Sequence, residues 1–228
     1  MFKFKKILSA GCSYIQGNEL GDEFPFSQQT YPALIAKEHA VEYDCVAYAS
    51  ASNQGIVKQL FDYENYDNTM VIVQWTFPWR MGINLSYTYT NEKRQKQSWF
   101  DLAPNHWQLQ GEFDGQINEN VDYDQCSKDL KMLGVDEFNK QIYKHIGNNE
   151  YFDFATRLCI ESAENFFTKN KIPYLFFSAT GIKDANSFEG LGFADWCDKN
   201  KFAVGKYNHP LHDAHASASR YILQNFFN

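Results

Sequence analysis

A three-layer α/β/α fold with a mainly parallel sheet is predicted by two features of this sequence. Short apolar runs that suit strands buried on both faces alternate with segments of helical periodicity. Such alternation is typical of parallel sheets, in which a helix connects one strand to the next. A length of 228 residues suits one domain. We therefore expect a single flavodoxin-like domain over residues 1–228, with any extra material inserted into it.

Four segments are predicted to be the strands of the sheet. They are rich in β-branched or other apolar residues and are bounded by turn residues; in chain order they read "KKILSAG", "EYDCVAYA", "TMVIVQWT" and "IPYLFFSAT". Four amphipathic segments between or after them are predicted to be helices: "TYPALIAKEHA", "SNQGIVKQLFDYEN", "YFDFATRLCIESAENFFTKNK" and "PLHDAHASASRYILQNFF".

Residues 84–149 interrupt this alternation. The segment is polar, yet it contains large aromatic residues such as Trp99, Trp107 and Phe113. A structureless loop of that length is improbable in a compact domain, so we expect an insertion with some order of its own. It would serve as a lid or as a subsite where aromatic and amide side chains meet sugars. The alternative is a small satellite core.

Composition and charge exclude several classes of protein. The formal net charge is −7 and no long basic cluster exists, which disfavours nucleic acid as a partner. We expect neither a signal peptide nor a transmembrane segment, and hence no membrane partner and a cytoplasmic or virion-associated location. The five cysteines show no metal-binding or disulfide spacing and are expected to be reduced thiols.

The first strand runs into "GCSYIQG", where Ser13 follows Gly11 and Cys12. A serine in a tight turn at the end of a strand is a candidate nucleophile, because ligands of α/β sheets bind at the carboxyl ends of the strands. The alternative is that Ser13 only caps the following helix. Cys12 is a second, less favoured candidate nucleophile, since nothing in the sequence indicates a reactive thiolate.

Three further blocks follow in order: "AYASASNQGI", "QWTFPWR" and "KYNHPLHDAH". Together with "GCSYIQG" they resemble the four blocks of the SGNH/GDSL hydrolases, particularly the short phage-type members. The resemblance implies that Ser13 is the nucleophile and that His209, before Pro210, is the general base. It also implies that Ser50, Asn53 and Thr76 bind the oxyanion or the substrate.

Three positions depart from the family pattern. Cys12 replaces the aspartate of Gly-Asp-Ser, and Thr76 stands where the family has an asparagine. The acid that normally lies three residues before the histidine is replaced by Lys206. A third group usually orients the imidazole and stabilises its cation. Asp195, Asp198 or a backbone carbonyl are the candidates for that role.

These observations lead to two hypotheses. The first is a serine esterase that acts, without a cofactor, on a small-molecule or glycan ester. The second is a binding or virion-structural protein that keeps the fold without the reaction. A metal site in "HPLHDAH" is a weaker alternative, because no other His/Cys cluster completes a coordination shell. The sequence does not indicate an oligomeric state.

Overall fold

The computed structural model describes residues 3–22, 25–90, 96–102, 135–145 and 148–227. Trp107 and Phe113 of the predicted insertion lie outside these ranges. The described strands are β1 Lys6–Ala10, β2 Glu42–Cys45, β3 Thr69–Trp75, β4 Met81–Thr90, β5 Lys96–Leu102 and β6 Tyr174–Ser178. The described helices are α1 Ser13–Gln16, α2 Tyr31–Glu38, α3 Asn53–Asp62, α4 Val135–His145, α5 Asn149–Asn170, α6 Phe193–Lys199 and α7 His212–Phe226.

The main sheet has the order β2-β1-β3-β6, and its three strand pairs are all parallel. Its strands coincide with the four predicted segments, although β2 ends at Cys45, halfway through "EYDCVAYA". The four predicted helices are also present, as α2, α3, α5 and α7. The prediction of a mainly parallel α/β sheet is therefore confirmed.

Alternation along the strands creates two cores, one on each face of the sheet, because successive side chains of a strand point in opposite directions. On one face, Ile7 and Ile72 pack in a buried cluster with residues of α2, α6 and α7. On the other face, Leu8 and Val73 pack with residues of α3 and α5. Both faces are thus covered by helices, which gives the predicted three layers.

The strand order reverses between β1 and β3. From β1 the chain passes through α2 to β2, on one side of β1, and then through α3 to β3, on its other side. The connections that leave β1 and β3 therefore diverge, and the carboxyl ends of strands at such a point are where open α/β sheets bind their ligands. The segment around Ser13 follows β1, and Thr76 follows β3 directly, so both lie at this edge.

The chain divides into two compact units, Met1–Phe77 with Thr156–Asn228, and Pro78–Ala155. The predicted insertion, residues 84–149, falls within the second unit. There β4 and β5 form an antiparallel pair, with Met81 opposite Leu102, which the sequence analysis did not predict. Its role as a lid or subsite stays a prediction. None of the helices among the described residues is long and apolar enough to cross a membrane.

Candidate active site

Ser13 is held in a turn that leaves little freedom. The N–H of Gly11 donates to Gln59 Oε1 and the carbonyl of Gly11 accepts from Gln59 Nε2, both at 3.0 Å. A β-carbon on Gly11 would lie 2.7 Å from Ile15 Cγ1, so a larger residue would force the turn apart. Ser13 itself begins α1 and is only 4% exposed. The N-cap of α1 is Cys12, so the alternative in which Ser13 is the cap is wrong.

Cys12 packs inside the protein. Its side chain is fully buried in the apolar cluster with Leu8, Val73 and Trp75. A reactive cysteine requires a partly exposed, electropositive setting that favours the thiolate. The apolar setting of Cys12 argues against its use as the nucleophile.

His209 lies on a loop that is closed by backbone hydrogen bonds between its own residues. Gly205 N–H donates to the carbonyl of His209 at 2.9 Å, and Leu211 N–H donates to the carbonyl of Ala203 at 3.1 Å. Val204 and Pro210 form an isolated antiparallel bridge in the same loop. The N-cap of α7 is Leu211, so His209 is not the cap of the last helix. The loop therefore presents the imidazole from a fixed backbone.

Glu19 is the acid that faces this imidazole, and the sequence analysis missed it. Its Oε2 lies 2.7 Å from His209 Nδ1. The same carboxylate accepts the N–H of Tyr207 at 3.1 Å and the N–H of His209 at 3.4 Å. Both side chains are largely buried, at 15% exposure for Glu19 and 14% for His209. The pair is thus a short hydrogen-bonded contact with little access for water.

Two local features allow Glu19 to reach the histidine loop. Its backbone has φ 68°, a left-handed conformation that few residues other than glycine adopt. Gly205 leaves the space, because a β-carbon there would lie 2.5 Å from the Glu19 carboxylate. The only sequence signal was an acidic residue six positions after Ser13, just beyond the block "GCSYIQG". That signal is weak, because nothing local shows which loop the side chain will meet.

Tyr14 connects the serine segment to the histidine. Its ring meets the ring of His209 edge-on, with centroids 5.6 Å apart and planes at 89°. Tyr14 follows Ser13 directly on α1. The structure therefore brings His209 to the helix that Ser13 begins, although 196 residues (209 − 13) separate them. The direct approach of Ser13 Oγ to the imidazole stays a prediction.

The three residues expected to bind the oxyanion or substrate lie in two segments after β2 and β3. Ser50 has φ 62°, so its backbone adopts the left-handed conformation that glycine favours. Thr76 donates its N–H to Asn53 Oδ1 at 2.8 Å. Asn53 Nδ2 in turn donates to the Thr76 carbonyl and to Thr156 Oγ1. The Asn53 amide thus ties these segments together, and its contact with substrate stays a prediction.

His215 contacts the loop that carries His209. Its Nδ1 accepts the N–H of Tyr31 at 3.2 Å, so Nε2 carries the proton and donates to the carbonyl of Pro210. Its side chain is 1% exposed, and burial lowers the pKa of His215 to about 3. A neutral imidazole therefore joins the start of α2 to the residue next to His209.

The acids and the lysine considered from sequence lie elsewhere. Lys206 is exposed and its Nζ lies 5.2 Å from the ring centroid of Tyr207. Asp195 and Asp198, both suggested as the group behind His209, are exposed on α6. Glu19 holds the Nδ1 position instead. Among the described residues, no group of three or more His, Cys, Asp and Glu side chains could hold a metal ion.

The arrangement suits general base catalysis. A carboxylate only accepts hydrogen bonds, so Nδ1 of His209 carries the proton and donates the hydrogen bond to Glu19. The other ring nitrogen, Nε2, is then the basic one, as a base for a serine hydroxyl requires. Once Nε2 takes a proton, the carboxylate stabilises the imidazolium cation.

Comparison with known proteins yields fold-level matches alone. No family model and no curated protein sequence matches the chain. One similar structure is a Desulfitobacterium hafniense DCB-2 protein described as lipolytic and of the G-D-S-L family, with 14% identity, 96% of this chain and 98% of that chain covered, and a TM-score of 0.37. The structure of a carbohydrate esterase has 11% identity and a TM-score of 0.48, and the match covers 98% of this chain and 68% of that chain. Phospholipase A1 from Streptomyces albidoflavus NA297 has 10% identity and a TM-score of 0.38, and the match covers 97% of this chain and 99% of that chain.

Proposed function

We propose that this protein is a serine esterase of the SGNH type, with Ser13 as nucleophile and His209 as general base. The observation that carries the proposal is the position of His209 beside Tyr14, next to Ser13, with its Nδ1 on a carboxylate. A serine hydroxyl is a weak nucleophile unless a positioned base takes its proton. His209 supplies such a base from a fixed loop, and Ser13 follows the strand end where substrates of α/β sheets bind.

In the proposed reaction, Ser13 Oγ forms a bond to the ester carbonyl carbon while its proton passes to His209 Nε2. The carbonyl oxygen becomes an oxyanion, for which the N–H groups of Ser13 and Ser50 and the hydroxyl of Thr76 are the proposed donors. The carbon–oxygen bond to the leaving alcohol then breaks, and His209 returns the proton to that oxygen. A water molecule attacks the acyl-serine by the same sequence of proton transfers and releases the acid.

The proposed substrate is an ester with a small acyl group, on a small alcohol or on a glycan. Ser13 is only 4% exposed, which favours a short acyl chain such as acetyl over a long one. The glycan is suggested by the aromatic and amide residues in the sequence of residues 84–149.

A second candidate is an SGNH-fold protein that binds a ligand, or serves in a virion, without hydrolysing esters. It is favoured by the oxyanion region, where Thr76 replaces the family's asparagine and its N–H is already donated to Asn53. Loss of one oxyanion donor costs about 10²–10³ in rate. A protein that lacks this donor would hydrolyse esters slowly or would not hydrolyse them.

Labelling with a fluorophosphonate decides between the two candidates. An esterase should be labelled at one site, mapped by mass spectrometry to the peptide that contains Ser13. Ser13→Ala should abolish both the labelling and the hydrolysis of p-nitrophenyl acetate. The exposed helical Ser162, changed to alanine, is the matched control and should leave both unchanged. Equal hydrolysis by wild type and Ser13→Ala, at the rate of buffer alone, would refute the esterase.

A further inference from the structure

We infer that Glu19 is the positioning acid of this site and replaces the acid that the family carries three residues before the histidine. The inference rests on the proposed function for its catalytic meaning, but the pairing of Glu19 with His209 can be tested without it. The acid would then come from the loop of the nucleophile, six residues after Ser13, and not from the loop of the base.

The contacts of the carboxylate distinguish this role from that of a simple loop anchor. An anchor needs only the two backbone N–H groups of Tyr207 and His209, which Glu19 accepts at 3.1–3.4 Å. The contact with His209 Nδ1 is much shorter, at 2.7 Å, which lies in the range of charge-assisted hydrogen bonds. Glu19 thus fixes the loop and, with the same oxygen, fixes the ring orientation and tautomer.

The protein holds this pair in place at a conformational cost. Glu19 has φ 68°, a left-handed backbone conformation that is unfavourable for residues other than glycine. Position 205 must also lack a side chain, because a β-carbon would collide with the carboxylate. The backbone at Glu19 and the absence of a side chain at position 205 together bring the carboxylate to Nδ1 of His209.

Glu19 contacts the ring of His209 directly, through Oε2 at Nδ1. Two other titratable groups face this ring from neighbouring elements: Tyr14 of α1 packs edge-on against it, and His215 of α7 interacts with it electrostatically. A carboxylate within hydrogen-bond distance favours the charged form of an imidazole, so Glu19 favours the imidazolium over the neutral ring.

The test compares Glu19→Gln with wild type in two readouts. In p-nitrophenyl acetate hydrolysis, kcat should fall by about 10²–10⁴-fold with KM nearly unchanged, because orientation and cation stabilisation act in the transition state. In NMR spectra, the midpoint of the His209 titration should fall by about 1–3 pH units, because the amide no longer stabilises the cation. Glu19→Asp should recover part of both effects. Asp195→Asn, which removes an exposed acid suggested by the sequence, is the matched control and should change neither.

Gly205→Ala provides a second route to the same answer. It keeps the carboxylate but displaces it from Nδ1, so it should lower the His209 midpoint and kcat in the same direction. An unchanged midpoint in Glu19→Gln, with the variant folded, would overturn the inference. So would a kcat equal to that of wild type. A lowered midpoint in a protein whose Ser13 resists fluorophosphonate would support the pair and refute only the proposed esterase.

Discussion

His209 and His215 lie six residues apart, one on the loop before α7 and the other in its first turn, yet the structure gives them opposite chemistry. His209 sits with Nδ1 on the Glu19 carboxylate, a partner that stabilises a charged ring. His215 accepts a backbone N–H at Nδ1 and lies in the core, and burial lowers its pKa to about 3. The comparison shows that the partner of Nδ1, together with burial, decides whether an imidazole can carry a proton. Only His209 is equipped to be a base that becomes a cation.

The largest expected effect is on activity and belongs to His209. His209→Asn should lower kcat for p-nitrophenyl acetate by about 10⁴–10⁶-fold, because the variant lacks the proposed base for the Ser13 hydroxyl. His145→Gln removes an exposed histidine of α4 and serves as the control, with kcat unchanged. Steady-state kinetics and circular dichroism of both variants provide the measurement. A fall of less than about tenfold in His209→Asn would show that another base acts.

The second effect is on stability and belongs to His215. Its folded-state pKa of about 3 lies below the ordinary value of 6.5, so the unfolded chain binds more protons between these values. The contribution of the neutral His215 to the free energy of unfolding should therefore be fully present above about pH 6.5. It should be lost as the pH falls towards 3, at up to about 1.4 kcal/mol per pH unit. The free energy of unfolding, measured with urea, should fall between pH 7 and pH 5 by about 2 kcal/mol more in wild type than in His215→Gln.

The glutamine in that variant can accept from Tyr31 and donate to Pro210 without titrating. The carboxylates of the protein are common to both chains, so their contribution cancels in the comparison. Equal pH dependence in wild type and variant would show that His215 has the same pKa in the folded protein and in the unfolded chain, and the contrast with His209 would fail.

The smallest effect is expected at position 206. Lys206→Asp restores the acid of the family pattern, but the side chain is exposed and Glu19 already occupies Nδ1 of His209. Exposed ion pairs contribute about 0–1 kcal/mol, so kcat should change by less than about fivefold. Kinetics at low and at high salt measure this effect. A rise of tenfold or more, or full recovery of Glu19→Gln by the added aspartate, would place the functional acid at residue 206.

Parts of the site could be predicted because they follow from local patterns. The apolar run before Ser13 predicts a strand, and the small residues after it predict a turn. In a parallel sheet the carboxyl ends of all strands lie at one edge, so the segments of Ser13, Ser50 and Thr76 had to lie there together. The roles of these residues were suggested by family resemblance and stay predictions.

Other parts could not be predicted, because they depend on how two distant loops meet. The search for an acid was confined to residues near His209 in sequence, where Asp195 and Asp198 were candidates and both are exposed. The β4–β5 pair was also missed, because the strand predictions rested on continuous apolar runs, whereas β4 alternates apolar residues with small or polar ones.

The sequence by itself determined the α/β layering, the parallel sheet and the two segments that carry Ser13 and His209. It did so because burial is encoded locally, by the spacing of apolar residues along each element. The tertiary structure alone decided that Glu19 meets His209 across 190 residues and that His215 stays neutral in the core. Charge and hydrogen bonding at short range depend on which groups approach within about 3 Å, and only the folded chain fixes that approach.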